Sequence, residues 1–252
     1  MSKEEQELFQ SVRDYYSTEV AVESYTERAR NGGLEPPEKA MVERFMTPPA
    51  KVLNIGCGAG REAFALARMG YKVTGIDVTP ALIEQANVLA SELCLSADFE
   101  VCDGKRLGFP DDSFDYVLLI TQMIHYVPLG VNRIRLLHEV GRATRPEGRI
   151  LLTYHDWDIV KTHRLWGDGK KEEGSDQIAV RFASLEPGDV FRSECQGQLS
   201  EVFGYGHNFT RDEMESEVLE AGLTIIERAD FYTITGEPIE FWKPTQVLVL
   251  TK

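Results

Sequence analysis

The chain has 252 residues, of which 42% are hydrophobic and 27% charged, and its 27 Lys and Arg against 41 Asp and Glu give a formal net charge of −14. This length is sufficient for one large domain with a buried core. No repeat or biased tract runs through the sequence, which excludes collagen, coiled-coil and low-complexity proteins. The acidic balance disfavours a nucleic-acid partner, because affinity for phosphate backbones comes from clustered Lys and Arg, although a local basic groove stays compatible with it.

Membrane insertion and secretion are not expected. The longest apolar run, residues 116–120, is far shorter than the ~20 residues that span a bilayer. Residues 1–7 are acidic and precede no apolar segment, so they do not resemble a signal peptide. The four cysteines form no CxxC pair and no zinc-finger spacing: Cys57, Cys94, Cys102 and Cys195. We therefore expect a cytoplasmic protein with free thiols and no structural metal; the oligomeric state is not predicted.

The first 48 residues form a helical prefix in this interpretation. Leu8, Val12 and Tyr15 with Tyr16 recur at helical spacing, and the apolar stripe continues to Ala29. Residues 31–33, Asn-Gly-Gly, end the stripe, and the prolines at 36 and 37 open a second short helix to about residue 45.

The hydrophobic period changes after this prefix. Short apolar strands are predicted at 51–55, 71–76, 98–102, 114–120 and 149–154, and they alternate with helices at 61–68, 80–92 and 129–143. Strands that alternate with helices of this length predict βαβ units and a mainly parallel sheet.

The alternation of predicted strands and helices stops between about residues 156 and 209. A stretch of this length within a compact domain predicts either a functional lid or structure that the pattern does not show. Regular elements are predicted again after it. Thr210 and Glu213 have the spacing of a capping box and predict a helix that ends at Ala221 and Gly222. Two last strands are predicted at 223–234 and 245–251.

The most informative segment is the turn after the first strand, residues 56–60, Gly-Cys-Gly-Ala-Gly. Glycines let a backbone pass close to a ligand, and the following helix offers unpaired N–H groups. Asp77, 17 residues after Gly60, is placed to accept hydrogen bonds from a ribose. Arg61 stands where the dinucleotide fingerprint needs its third glycine, which argues against NAD and FAD, and no phosphate-binding P-loop is present. The alternatives are a tight turn without a ligand and an Asp77 that only caps the next helix.

Five motifs in order resemble the class I S-adenosylmethionine-dependent methyltransferases, in particular the type 11 group with its ubiquinone-pathway and small-molecule enzymes. They are the glycine turn, residues 73–80 with Asp77, residues 101–104 with Asp103, residues 109–115 and residues 145–148. The resemblance covers about residues 51–156 and, more weakly, 209–252.

The resemblance implies an α/β fold, a doubly wound, seven-stranded, mainly parallel, Rossmann-like sheet in a single domain of residues 1–252. Its expected parts are an N-terminal helical lid at 1–48, a cofactor-binding half at 49–156, an acceptor-site insertion after the fifth strand at 157–209, and a C-terminal helix with the last two strands at 210–252.

The resemblance also implies S-adenosylmethionine as cofactor, and S-adenosylhomocysteine as its product. The residues that it assigns to the cofactor site are Asn54, Gly56, Gly58, Gly60, Arg61, Asp77, Val78, Asp103, Gly104, Thr121, Tyr16 and Tyr25. Asn54 departs from the family, because relatives usually carry Asp or Glu there to orient the amino group of the cofactor. Tyr16 and Tyr25 resemble lid tyrosines, although an aromatic stripe of this kind could equally be packing.

Methyl transfer is an in-line displacement, so the protein must mainly place the acceptor atom, and a general base is needed only when that atom carries a proton. The catalytic candidates are His125, which resembles a histidine after the fourth strand in relatives, and His207 before the late helix. Each could instead be a structural histidine.

The insertion is expected to shape the acceptor pocket. It holds six basic and ten acidic residues over 156–209, which disfavours tRNA or DNA. Its aromatic residues could line an apolar pocket or form a small core of their own: Trp157, Trp166, Phe182, Phe191 and Phe203. The predicted function is methyl transfer from S-adenosylmethionine to an O or N atom of a small organic molecule. The alternatives are an RNA-modifying methyltransferase and a catalytically inactive binding protein with this fold.

Overall fold

Seven strands form the central sheet of the computed structural model, which describes residues 2–163, 182–195, 198–236 and 245–252. The strands of the chain are β1 Lys51–Ile55, β2 Lys72–Asp77, β3 Ala97–Val101, β4 Phe114–Leu119, β5 Thr144–His155, β6 Asp189–Cys195, β7 Gln198–His207, β8 Thr224–Asp230 and β9 Thr245–Thr251. The central sheet has the order β3-β2-β1-β4-β5-β9-β8, and β6 pairs with β7 in a separate hairpin. Strands β1 to β5 are parallel, whereas β9 runs antiparallel to both β5 and β8. The predicted doubly wound α/β sheet is therefore confirmed.

The middle of this sheet is buried on both faces. Every residue of β1 except Lys51 is buried, as expected for a parallel strand covered by helices on each side. Successive side chains point to opposite faces, so Val52 joins one core cluster with Phe64 and Val73, while Leu53 joins the other with Val117.

Helices cover both faces of the sheet and form the N-terminal prefix. They are α1 Lys3–Tyr16, α2 Glu19–Asn31, α3 Pro36–Phe45, α4 Arg61–Arg68, α5 Pro80–Glu92, α6 Gly130–Ala143, α7 Trp157–His163, α8 Arg211–Glu220 and α9 Phe231–Thr235. None of the helices in the described part of the chain is long and apolar enough to cross a membrane.

The apolar stripe of the prefix is divided between two helices. Helix α1 ends at Tyr16 with Ser17 as its C-cap, and Thr18 caps α2 by accepting a hydrogen bond from the N–H of Ala21. Ser and Thr side chains compete for backbone hydrogen bonds in this way, so two adjacent capping residues break a hydrophobic pattern that by itself continues.

Helix α1 packs on the β6–β7 hairpin. Leu8 and Val12 share a small core with Phe191 and Tyr205, and Phe182 stacks on Phe191 with ring centroids 5.5 Å apart. Among the described aromatic residues of the insertion, Phe182, Phe191 and Phe203 thus belong to the core of the hairpin and α1. Trp166 lies outside the described residues.

Two predicted boundaries are wrong. Strand β5 begins at Thr144 rather than at residue 149, and the predicted turn at 145–148 falls in an irregular stretch where its register with β4 shifts. The last but one strand ends at Asp230 rather than at residue 234, because the Asp230 carboxylate accepts hydrogen bonds from Thr233 and opens α9.

Candidate cofactor and active site

The glycine turn leaves β1 in a conformation that only glycine adopts readily. Gly56, Gly58 and Gly60 have φ angles of +70°, +53° and +97°, which lie in the left-handed region. A β-carbon on Gly56 would lie 2.8 Å from Cβ of Met123. The turn is fixed from β2, since the N–H groups of Gly56 and Cys57 both donate to the carbonyl oxygen of Ile76.

Asp77, the last residue of β2, ties the turn to the second βα connection. Its Oδ2 accepts from the N–H of Gly58 at 2.9 Å and its Oδ1 from the N–H of Thr79 at 2.8 Å. Burial raises the pKa of Asp77 more than these two backbone donors lower it. The contact with Thr79 resembles the capping role considered for Asp77, but the carboxylate also lines the cavity described next.

A cavity of about 1050 Å³, part of it open to solvent, runs along the carboxyl ends of β1, β2 and β4. Ligands of doubly wound sheets bind at this edge. Asp77, Val78, Asp103 and Gly104 line it, together with residues of the glycine turn. Asp103 follows β3; its Oδ1 accepts from the N–H of Lys105 at 3.1 Å, and its side chain is half exposed.

Helices α1 and α2 supply another side of the cavity. The lining residues from these helices are Phe9, Val12, Tyr16, Tyr25 and Arg28. Tyr25 reaches the glycine turn, since a β-carbon on Gly58 would lie 3.2 Å from its Cδ1. Tyr16 packs edge-to-face against Tyr25 and Tyr126, with centroid distances of 5.7 and 5.3 Å. Burial, first of all, and the neighbouring tyrosines raise the pKa of Tyr16 well above its usual value, so its phenol is neutral at physiological pH.

The residues after β4 have an unusual backbone. Thr121 and Gln122 both have a φ of +57°, which is strained for a β-branched residue such as threonine. The Thr121 hydroxyl donates to Oε1 of Glu62 at 2.9 Å, and Nη2 of Arg61 lies 3.4 Å from the same hydroxyl oxygen. Side chains of α4 therefore hold this strained segment against the cavity.

His125 has a structural environment. Its Nδ1 lies 2.6 Å from the carbonyl oxygen of His207, and its Nε2 accepts from the N–H of His155 at 3.0 Å. A carbonyl only accepts and an N–H only donates, so the ring is the neutral Nδ1–H tautomer. Because both nitrogens are used by the backbone and the ring does not line the cavity, the geometry does not support the role of general base that the sequence suggested for His125.

His207 lies in a closed network of charges behind the cavity. It is fully buried, with Nδ1 2.6 Å from Asp189 Oδ1 and Nε2 3.0 Å from Glu213 Oε1. Burial lowers the pKa of His207, but the hydrogen bonds to Asp189 and Glu213 raise it further, so the net shift is upward. Like His125, His207 does not line the cavity, and its geometry does not support a catalytic role.

The same network contains three groups that could in principle hold a metal ion. Ligand atoms of Glu186, Asp189 and His207 lie within 4.8 Å of one another. Both oxygens of Glu186 accept from the N–H of Gly130, and its Oε2 also lies 3.0 Å from Nη2 of Arg133. A guanidinium in contact with the group repels a cation, so the arrangement fits an ion-pair network better than a metal centre.

The structure brings most of the predicted site residues together. The predicted residues that line the cavity are Tyr16, Tyr25, Gly56, Gly58, Arg61, Asp77, Val78, Asp103, Gly104 and Thr121. Gly60 instead serves as N-cap of α4. Asn54 is 2% exposed and does not line the cavity, and its Nδ2 has no hydrogen-bond partner among the described residues.

Sequence reasoning missed several lining residues. They include Phe9, Val12, Arg28, Cys57, Glu62, Met123 and Tyr126. Glu62 is the second residue after the glycine turn and lines the cavity from the first turn of α4, so its position beside Arg61 was the signal available. Met123 and Tyr126 lie with His125 in a 3₁₀ turn, and no sequence motif marks either of them.

The fold defines a protein of the doubly wound α/β class, with the glycine turn and the cavity at the sheet edge where ligands of this class bind. Residues 52–148 match the family model described as a methyltransferase domain. The chain is 37% identical over 105 residues to Methyltransferase GfsG of Streptomyces halstedii, a match that covers 40% of this chain and 36% of that protein. It is 31% identical over 111 residues to a ubiquinone biosynthesis O-methyltransferase of Xanthomonas campestris, covering 44% of this chain and 45% of that protein.

A crystal structure of an S-adenosylmethionine-dependent methyltransferase from Methanosarcina mazei has the same fold, with a TM-score of 0.66, 23% identity, and coverage of 87% of this chain and 98% of that one. Residues 52–148 therefore match a methyltransferase domain, as the sequence motifs predicted, and the fold of the chain is that of the Methanosarcina mazei methyltransferase. The matched stretch spans less than half the length of both curated relatives.

Proposed function

We propose that this protein transfers a methyl group from S-adenosylmethionine to an O or N atom of a small organic molecule. The observation that carries the proposal is the continuous cavity from Asp103, past Asp77 and the glycine turn, to the tyrosines of the N-terminal helices.

The residues present fit the cofactor. Gly56 and Gly58 lack the side chains that would fill the space at the turn, and carboxylates at the ends of β2 and β3 can accept hydrogen bonds from ribose hydroxyls and from an adenine amino group. Val78 adds an apolar surface for a base between Asp77 and Asp103. S-adenosylmethionine, when bound, supplies a methyl group on a positively charged sulfur.

Acceptor binding is assigned to the opposite end of the cavity. Phe9, Val12, Tyr16, Met123 and Tyr126 make this wall largely apolar and aromatic, which suits a small organic acceptor. We assign to this wall the placement of the acceptor atom along the line of displacement.

Calorimetric titration with S-adenosylhomocysteine tests the cofactor site. We expect micromolar or tighter binding to the wild type. In Asp77→Ala, loss of two hydrogen bonds to a charged acceptor weakens binding by about 2–4 kcal/mol. Asp98→Ala, which removes an exposed carboxylate of β3, is the matched control and leaves the affinity unchanged. Unchanged affinity in Asp77→Ala would contradict this placement of the cofactor.

Transfer itself is tested with a radiolabelled methyl donor and a panel of small phenols, carboxylic acids and amines, with tRNA assayed in parallel. Labelled small-molecule product supports the proposal. Labelled tRNA with no labelled small molecule would instead favour the RNA-modifying alternative, and binding of S-adenosylhomocysteine without transfer to any acceptor would favour the inactive binding protein.

A further inference from the structure

Arg61 is shared between two buried carboxylates beside the cavity. Its Nη1 and Nη2 each lie 2.7 Å from an oxygen of Glu38, and Nη2 also lies 2.5 Å from Oε1 of Glu62. All three residues are buried: Arg61 is 7%, Glu38 2% and Glu62 7% exposed. We name Arg61, Glu38, Glu62 and Thr121 the Arg61 cluster.

The two carboxylates differ in how completely they are satisfied. Each oxygen of Glu38 accepts from Arg61, and its Oε2 also accepts from the N–H of Glu35 at 2.8 Å. Oε1 of Glu62 accepts from Arg61 and from the Thr121 hydroxyl. Within the described ranges, no group donates to Oε2 of Glu62, and this side chain lines the cavity.

The charges of the Arg61 cluster do not balance, since one guanidinium faces two carboxylates and leaves a net charge of −1. A further cation at the cavity wall would offset this charge. The other carboxylates of the cavity are better provided for: Asp77 accepts from two backbone N–H groups, and Asp103 is half exposed and paired with Lys105. Oε2 of Glu62 is therefore the carboxylate oxygen of the cavity wall that is left without a donor among the described residues.

The residue at position 54 suggests which ligand group this carboxylate could bind. The resemblance places a carboxylate at the end of β1 in relatives, where it orients the amino group of the cofactor, and this chain has a neutral amide there. Asn54 is also buried away from the cavity wall. A carboxylate is present beyond the glycine turn instead, at Glu62 in the first turn of α4.

We propose that Oε2 of Glu62 binds the α-ammonium group of the cofactor's amino-acid part, with Arg61 and Glu38 holding the carboxylate in place. This inference rests on the proposed function, because it requires S-adenosylmethionine in the cavity. A charge-assisted N–H···O bond would form between ligand and Glu62 where the protein alone leaves an acceptor open.

The test compares two ligands on three proteins by calorimetry. The ligands are S-adenosylhomocysteine and its deaminated analogue, which has hydrogen in place of the ammonium group. The proteins are the wild type, Glu62→Gln and, as a matched control, Glu43→Gln on the exposed face of α3. We expect wild type and Glu43→Gln to prefer the amino ligand by about 10- to 100-fold, as for one buried charge-assisted hydrogen bond.

Glu62→Gln is expected to lose this preference and to bind the deaminated analogue as the wild type does. An equal loss for both ligands would overturn the inference, because Glu62 would then only shape the site; retention of the full preference would also overturn it. Glu62→Asp keeps the charge and is expected to keep part of the preference, which provides a second test should Glu62→Gln not fold. Failure of wild type to bind either ligand is a different result, since it contradicts the proposed function itself.

Discussion

Two buried arginines, Arg61 and Arg133, are each held by a pair of oxygens from one glutamate, and they differ in what surrounds that pair. The Arg61 cluster lines the cavity and leaves Oε2 of Glu62 without a donor among the described residues. Arg133 lies behind the cavity, 1% exposed, with Nε 2.9 Å from both oxygens of Glu217 and Nη2 3.0 Å from Glu186.

The network around Arg133 is closed in that every carboxylate oxygen of Glu186, Asp189 and Glu217 accepts a hydrogen bond from the described chain, while the Glu213 side chain is 31% exposed and open to water. Its second cation is His207, whose raised pKa favours the protonated form between Asp189 and Glu213. Asp189 in turn accepts from the Tyr205 hydroxyl at 2.5 Å and from the N–H of Glu186 at 2.7 Å. This network joins α6, α8 and the β6–β7 hairpin. We infer two roles from this difference. A buried ion network stabilises the fold where the chain itself supplies donors to its buried carboxylate oxygens, and it is available to bind a ligand where one carboxylate oxygen has no donor.

Removal of Arg133 is expected to have the largest effect on stability. Arg133→Met leaves the buried Glu217 without its cation, and breaking one side of a buried pair costs about 3–5 kcal/mol of the free energy of unfolding. Urea unfolding at pH 7 measures this loss. Arg133→Met combined with Glu217→Leu removes both charges and is expected to recover most of it. A loss below about 1 kcal/mol in the single variant would contradict the closed-network interpretation.

Local patterns predicted the sheet because strands and helices differ in their hydrophobic period, and because glycines mark the turn that follows β1. They failed where a long-range contact or an irregular strand pairing determines the backbone conformation. Pro146 and Gly148 are typical of a turn, yet they lie within β5, because the register shift against β4 leaves room for a proline without an N–H.

The cavity was predictable to the extent that its residues lie in sequence motifs. Glycines and Asp77 follow strands and could be placed by spacing. Glu38 lies 23 residues before Arg61, and the partners of His125 lie 30 and 82 residues away. No local pattern connects such groups, so the Arg61 cluster and the structural role of His125 emerge only from the folded chain.

Titration of His207 provides a second, smaller test of the closed network. Its folded-state pKa lies above the usual value of about 6.5, so folding favours the protonated form. The resulting stabilisation is complete below that usual value and is lost as the pH rises through the folded-state pKa. Urea unfolding of wild type and His207→Gln across pH 5.5–9 measures it: the difference between the two is expected to shrink as the pH rises. A difference independent of pH would mean that His207 contributes by packing alone.

The smallest effect is expected at an ion pair that has the same contact distance as the buried one. Arg30 Nη1 lies 2.6 Å from Glu92 Oε2, and Arg133 Nη2 lies 2.6 Å from Glu217 Oε1. The side chains of Arg30 and Glu92 are 47% and 45% exposed, so water solvates both charges in the folded and the unfolded chain. Arg30→Met is therefore expected to change the free energy of unfolding by about 1 kcal/mol or less, and 0.5 M salt to remove most of that change. A loss comparable to that of Arg133→Met would mean that contact distance, rather than burial and closure of the network, sets the strength of these pairs.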